Sequence, residues 1–275
     1  MNGKFTHYLI TRFNVPVKNW DKDKTGNRVL DQAWLEERIG LFRKFCVPTI
    51  VNQTEKNFTW LIYCDAQTSP EYLSELRQAV NEISGATIRL VSDFDHLMID
   101  LRQILANEPT PFVITSRMDN DDGLGKDYIQ AIQDVFIPQD LTLLNFLHGI
   151  TYDTEKHILT EQRNASLNHF TSLIEITTPD REYITVLGFS HTQPPAQIVV
   201  QDLHIPYAWL KIIHGRNMSS RTKGKPVARK EILTFFKLTK KDVPISMLQT
   251  GIYILRKGFH RIMIISGNGR KKNKG

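Results

Sequence analysis

Three carboxylates fall within four residues at Asp119-Asn120-Asp121-Asp122, and Gly123 closes the stretch. Packed that tightly they repel one another, so a cation must offset the repulsion. A hard divalent metal holding a polyphosphate is the usual partner of such a set. Arg117, two residues upstream, is placed to lie against phosphate oxygens as a bidentate donor, or to fix the acids as a salt bridge. The plainer alternative for the whole stretch is a solvated, Asp-rich turn. A calcium loop of the EF-hand kind fits worse. Counted from Asp119, position 5 is Gly123 and position 12 is Gln130, where that loop needs Asp or Asn and then Glu.

Positioning these groups falls to the run Pro111-Phe112-Val113-Ile114, which reads as a short buried strand ending at the acids. The same punctuation recurs upstream. Tyr8-Leu9-Ile10-Thr11 is a strand ending at Arg12, Phe58 to Cys64 is a strand ending at Asp65, and Thr87 to Val91 is a strand ending near Asp93 and Asp95. Helices fill the intervals. One has Leu30, Trp34, Leu41 and Phe45 on its apolar side and ends at Pro48. A second starts at Ser69-Pro70 with Leu73, Leu76 and Val80 on one face. A third runs from Leu97 to Leu105. Four strand–helix units in succession predict a mostly parallel sheet with helices on both faces. In such a sheet the carboxyl ends of the strands line one edge and ligands bind there, so Arg12, Asp65, Asp95 and the acid stretch converge on a nucleotide-binding crevice. Asp65 and Asp95 are then available for base edges and ribose hydroxyls; either one singly also suits a turn or a helix N-cap.

Beyond residue 140 the pattern changes to short strands: Leu141–Leu144, Gly149–Tyr152 turning through Asp153–Glu155 to His157–Thr160, then Leu173–Thr177, Tyr183–Phe189 and Trp209–Ile213. This half is expected to be antiparallel or mixed. The chain of 275 residues is long enough for a sizeable core. It has no run of about 18 apolar residues that would make a membrane span, and its first residues lack a signal-peptide core. Cys46 and Cys64 read as buried thiols of a reducing compartment. The net charge of +6 conceals an asymmetry. Residues 216–275 hold 16 Lys/Arg against 2 Asp/Glu, a balance of +14 that leaves −8 for the first 215 residues.

Several blocks together resemble one known family. Tyr8-Leu9-Ile10-Thr11-Arg12-Phe13-Asn14 resembles its opening. Trp34-Leu35-Glu36-Glu37-Arg38 with Leu41-Phe42, Pro48, Gln53 and Phe58-Thr59-Trp60-Leu61 also fit, as do Thr115–Leu124 and Trp209 through His214-Gly215-Arg216-Asn217. The family is that of the bacterial rhamnosyltransferases, similar to nucleotide-sugar glycosyltransferases of the GT-A fold. The likeness covers roughly residues 5–220. It implies a GT-A-like mixed sheet within an α/β domain over 1–220. The residues beyond are not covered by it; their composition makes 221–275 a basic extension whose last ten or so residues are expected to be disordered. The resemblance implies a nucleotide-sugar donor, a glycan or lipid-linked acceptor, and Mn²⁺ or Mg²⁺. Asp119 and Asp121 become metal and nucleotide carboxylates, with Asp122 beside them and His214 as the third protein ligand; without the resemblance His214 is a loop histidine bonded to backbone.

Transfer with inversion needs a proton acceptor at the acceptor hydroxyl. His191, Asp202, Glu175 and Asp153 are candidates, and Asp202 leads because it lies just ahead of the strand that ends at His214. The extension has its own reading. Ile252, Leu255, Phe259, Ile262 and Ile265 share one helical face flanked by Arg256 and Arg261, which suits either an anionic membrane surface or packing in the core. No nucleic-acid recognition module is visible. The expected place of work is the cytoplasm, peripheral to the inner face of the membrane. Two other classes stay open: a nucleotidyl- or phosphotransferase using the same acids, though without a Gly-rich phosphate loop, and a non-catalytic basic adaptor.

Overall fold

The structure is a computed structural model; it describes residues 3–18, 31–179, 181–215, 222–227 and 230–256. Alternation of apolar side chains builds the main sheet. In β1 (Thr6–Arg12) Leu9 faces one way and Tyr8 and Ile10 the other; in β2 (Thr59–Asp65) Trp60, Ile62 and Cys64 oppose Leu61 and Tyr63. Both faces are therefore apolar, which a strand tolerates only when helices cover both sides. One face is covered by α1 (Gln32–Leu41), α3 (Pro70–Val80) and α5 (Tyr128–Asp134), and the other by α4 (Phe94–Ala106). With β3 (Ala86–Val91), β4 (Phe112–Arg117), β6 (Thr142–Phe146), β9 (Thr171–Ile176) and β10 (Val199–Leu203), the seven strands run in the order β10-β6-β9-β4-β1-β2-β3. Only β9 is antiparallel to its neighbours in this sheet. The carboxyl ends of β1, β2, β3 and β4 thus share one edge, as the sequence requires. This is an α/β fold with a mixed sheet and helices on both faces.

A second sheet in the order β12-β8-β7-β11-β5 stands beyond that edge. It comprises β5 (Gly123–Leu124), β7 (Gly149–Asp153), β8 (Ile158–Gln162), β11 (Trp209–Ile213) and β12 (Lys225–Pro226). Its core joins Ile150, Tyr152, Leu159, Leu210 and Ile212 to Phe45 and to Ile232, Leu233, Phe236, Leu238 and Val243. Ile232, Leu233, Phe236, Leu238 and Val243, from the extension expected after residue 220, thus pack in the small-sheet core. The expected disorder of the last residues lies outside the described residues. So does Leu30.

Two local expectations are corrected, and two further elements carry no clear sequence signal. Pro48 does not end the first helix. A π-helical turn (Phe42–Cys46) leads into α2 (Val47–Val51), and the widened turn puts Pro48, which has no N–H to donate, in the opening turn of α2. Tyr183–Phe189 is not a strand. The Ile184 and Thr185 amides donate to the buried Glu175 carboxylate (2.9 and 3.0 Å) and the Val186 amide to Thr115 Oγ1, so the backbone is satisfied by side chains instead of a ladder. Helix α5 and edge strand β10 carry weak sequence signals: α5 is only 7 residues long and β10 keeps Val199 64% exposed.

Gly149 is fixed by packing. The Trp209 indole lies across it, stacks on Phe170 (centroids 5.1 Å apart, planes at 7°) and donates from Nε1 to the Phe146 carbonyl. A Cβ at residue 149 would collide with that ring. We expect Gly149→Ala to cost about 1–3 kcal/mol in chemical denaturation. Gly40→Ala, at a helical site with nothing within 4 Å, should be neutral or slightly stabilising. Equal stability of the two variants would contradict the packing described.

Candidate active site

The acid stretch leaves β4 and is tied at once to the end of β1. The Met118 amide donates to Ile10 O (3.1 Å), and Asn120 Nδ2 donates to Phe13 O (2.5 Å). These bonds hold the turn still, so its three carboxylates are presented in fixed and different directions.

Asp121 faces inward. Its Oδ2 accepts from Arg38 Nη1 at 2.6 Å and is 2.8 Å from His214 Nε2; His214 Nδ1 is in turn 3.3 Å from Glu37 Oε1. Arg38 lies over the Trp34 ring and also reaches Asn120 Oδ1. Burial raises the Asp121 pKa, but Arg38 and His214 outweigh it and hold the carboxyl below its usual range. Asp122 turns the other way. Its Oδ1 accepts from the Ile212 amide of β11 (2.7 Å), and its Oδ2 is 2.7 Å from His169 Nε2, just ahead of β9. Burial and the adjacent Asp121 push the Asp122 carboxyl up. Asp119 opens outward, with its side chain 39% exposed, and its Oδ1 accepts from Arg117 Nε and Nη2 (3.3 and 3.1 Å). Burial acts to raise its pKa, but Arg117, His169 and Arg12 hold it well below the usual carboxylate range. Under the cluster, burial and then all three carboxylates push the Cys46 thiol well up, so it stays a protonated core residue; both cysteines are free and buried.

The remaining expected residues divide. Arg12 lies with its guanidinium 5.8 Å from the Phe94 ring centroid, within the field of Asp119 and Arg117. Asp65 lines a cleft of about 590 Å³ beyond the ends of β1 and β2, together with Asn14, Leu35, Gln67, Thr68 and Tyr72. Its amide donates to Asn14 Oδ1, and Asn14 Nδ2 donates to Thr68 Oγ1, so the cleft floor is internally braced. Asp95 is not among the cleft lining. It sits in the first turn of α4 and pairs with Lys18 in solvent, where an acid complements the helix N-terminus.

Of the proton-acceptor candidates, His191 stands beside the cluster, its ring centroid 5.8 Å from that of His169. Burial, then Arg117 and His169, lower its pKa to about 4, so the imidazole is neutral at pH 7. Asp202 is exposed on edge strand β10 and accepts from Asn145 Nδ2. Three strand spacings separate β10 from β4, roughly 14 Å, which removes Asp202 from the acid cluster. Glu175 is consumed by the loop amides described above. Asp153 closes the β7–β8 turn through Lys156 and Thr222.

Sequence reasoning missed His169. A single histidine between Asn168 and Phe170 carries no motif, and only the antiparallel insertion of β9 beside β4 brings it to the acids. Among the described residues, the ligand atoms of Asp119, Asp122 and His169 all lie within 4.8 Å of one another. The set expected from sequence was Asp119, Asp121 and His214; the structure instead places Asp121 and His214 in the ion-paired network around Arg38. The donor chemistry of Asp119, Asp122 and His169, two carboxylates and an imidazole, fits a divalent cation of the Mn²⁺ or Mg²⁺ kind. Asp122, already burdened by its neighbour's charge, is the carboxylate with most to gain from one.

No curated protein matches the chain. Among solved structures, S. aureus TarS 1–349 is similar with a TM-score of 0.41 at 9% identity, covering 76% of this chain and 60% of that one. TarS 1–349 in complex with UDP-GlcNAc is similar at 0.39 and 10%, covering 84% and 64%. The chain thus spans less than two thirds of the length of either. Over residues 6–226 it matches the model of the family described as "Putative rhamnosyl transferase". That match runs from β1 through the acid stretch to β12, most of the chain: the protein belongs to this family.

Proposed function

We propose that the protein is a glycosyltransferase that takes its sugar, rhamnose in the sense of the family name, from a nucleoside-diphosphate donor, with a divalent cation held by Asp119, Asp122 and His169. The observation that carries the reading is the junction between cleft and acids. Asn14 in the cleft wall follows directly on Phe13, whose carbonyl anchors Asn120 of the acid turn. A nucleoside seated on Asp65, Asn14 and Tyr72 would extend its diphosphate toward Arg12, Arg117 and Asp119.

Asp119, Asp122 and His169 would hold the Mn²⁺ or Mg²⁺, which would supply positive charge against the departing nucleoside diphosphate. The chain's own cations would serve the same end: Arg117, already held by Asp119, would need little reorganisation as charge grows, and Arg12 lies in the field of both. Neutral His191, beside the cluster, would take the proton of the acceptor hydroxyl. Asp121, Arg38, His214 and Glu37 form the frame that keeps the acid turn rigid. A glycan or lipid-linked glycan as acceptor, and a working place at the inner face of a membrane, belong to the same proposal.

The test is thermal shift with nucleoside diphosphates and nucleotide sugars, with and without Mn²⁺. A donor at a hundred times its Kd should raise stability by about 2.7 kcal/mol. The Mn²⁺-dependent part should vanish in His169→Ala and survive in His214→Ala corrected for its own stability. The opposite pattern would restore His214 as the ligand. No shift with any nucleotide would overturn the reading.

A further inference from the structure

The last described helix is built inside out. It covers residues 247–256, and its polar side is the one that packs: Thr250 is 8% exposed and donates to Ser246 O, and the Tyr253 hydroxyl lies against the carbonyls of Thr222 and Gly224. Met247, Leu248, Ile254 and Leu255 are instead 70%, 73%, 53% and 63% exposed. At 100° per residue these four fall within a sector of about 120° centred on Gly251, whose open side has nothing within 4 Å. Large apolar side chains scattered singly on a surface need no explanation, but a continuous helical stripe does.

We infer that this stripe docks the enzyme on an anionic lipid surface. Charge is the first argument. Lys240 and Lys241 stand exposed just before the helix and Arg256 at its end, and the 19 residues that follow, 257–275, contain six Lys/Arg and no Asp/Glu. The first 215 residues carry −8, so the body alone would be repelled by an anionic leaflet and this end alone attracted. Size is the second. Four side chains fall well short of the roughly 800 Å² per partner of a standard protein interface, whereas a bilayer needs no matching shape, only shallow apolar insertion beside basic residues. The described residues contain no helix long and apolar enough to cross a membrane, so the contact is one of lying on the surface.

The stripe differs from the one expected from sequence. Ile252 is half-buried to one side, Leu255 is shared, and Phe259, Arg261, Ile262 and Ile265 lie outside the described residues. The inference rests on the membrane part of the proposed function but not on its donor or its metal.

The experiment is vesicle sedimentation with the full chain. Truncation at Arg229 would remove Ile232, Leu233 and Phe236 from the core, so point changes are the sound probe. Wild type should pellet with phosphatidylcholine vesicles containing one third phosphatidylglycerol, not with pure phosphatidylcholine, and should be released by salt. Leu248→Glu with Leu255→Glu should lower the partition at least about tenfold, since both apolar insertion and charge are reversed there. Ile254→Glu should act in the same direction. All three sites are exposed, so melting and donor hydrolysis in solution should not change. No pelleting of wild type, or equal pelleting of the variants, would overturn the inference. Loss of donor binding with vesicle binding intact would overturn the proposed function and leave this one standing.

Discussion

Asp121→Asn should destabilise the fold by about 3–5 kcal/mol, while Asp119→Asn should melt almost like wild type and lose transfer. The two acids are two residues apart, yet their surroundings are opposite. Asp121 and Arg38 are paired at 2.6 Å with side chains 8% and 9% exposed. Asn at position 121 keeps the size and removes the charge, leaving the Arg38 guanidinium buried beside an amide. Removing one partner of a buried pair costs far more than the pair contributes, because the surviving charge loses a carboxylate in a site shielded from water. Asp119 pairs with Arg117 at a half-open position, where such a pair contributes about 0–1 kcal/mol. Its loss therefore costs little stability, but it removes a carboxylate at the place where the proposed cation and diphosphate meet. An interaction of several kcal/mol in the transition state corresponds to a fall of about a thousandfold or more in kcat/KM. Urea denaturation and donor turnover on the two variants separate these effects. Combining Asp121→Leu with Arg38→Met should recover much of the lost stability, since an apolar pair replaces a charged one. An Asp121→Asn protein as stable as wild type would show that the inward network is not what holds the acid turn.

That contrast also marks how far the sequence is legible. The strand ends are local signals: apolar runs stopped by Arg12, Asp65 and Asp119 are read correctly because a strand's end depends on nearby residues. The direction each acid faces is not local. It is decided by Arg38 from α1 and His214 from the end of β11 on one side, and by His169 from ahead of β9 on the other. Neighbours in sequence were expected to share one cation; they are instead drawn to different walls, and only Asp119 and Asp122 approach a common point with His169. Glu175 failed as a candidate for the same reason. Its partners are loop amides that reach it only because residues 183–186 abandon strand geometry. Asp202 was placed near His214 by sequence distance, but β10 lies at the far edge of the large sheet and β11 in the small one.

Stability should fall steeply below pH 6.5, and His7 should account for a large share of it. His7 lies in β1, 2% exposed, and burial lowers its pKa from 6.5 to about 3. The hydrogen bonds explain why the charge is refused. Gln133 Nε2, oriented by its bond to Asn57 O, donates to Nδ1 (3.4 Å), so Nδ1 must carry a lone pair. Nε2–H is then the donor to Ser116 Oγ (2.7 Å), which shares a further hydrogen bond with Ser172 Oγ (2.6 Å). A second proton on the ring would face the Gln133 amide hydrogens head on. The sign follows from linkage. Between pH 3 and 6.5 the unfolded chain binds a proton that the native protein does not, so stability is lost as pH falls, at about 1.4 kcal/mol per unit. Across the whole window that is about 4–5 kcal/mol, and by pH 4.5 already about 2–3. Other groups titrate over the same range, so the informative quantity is a difference. In His7→Gln the group is gone, and the gap between the stabilities of wild type and variant should shift by about 2–3 kcal/mol in the variant's favour between pH 7 and pH 4.5. Urea midpoints measured at both pH values give it directly. Parallel profiles for the two proteins would mean that His7 takes up its proton in the folded state, and that the Gln133–His7–Ser116–Ser172 chain does not fix its tautomer.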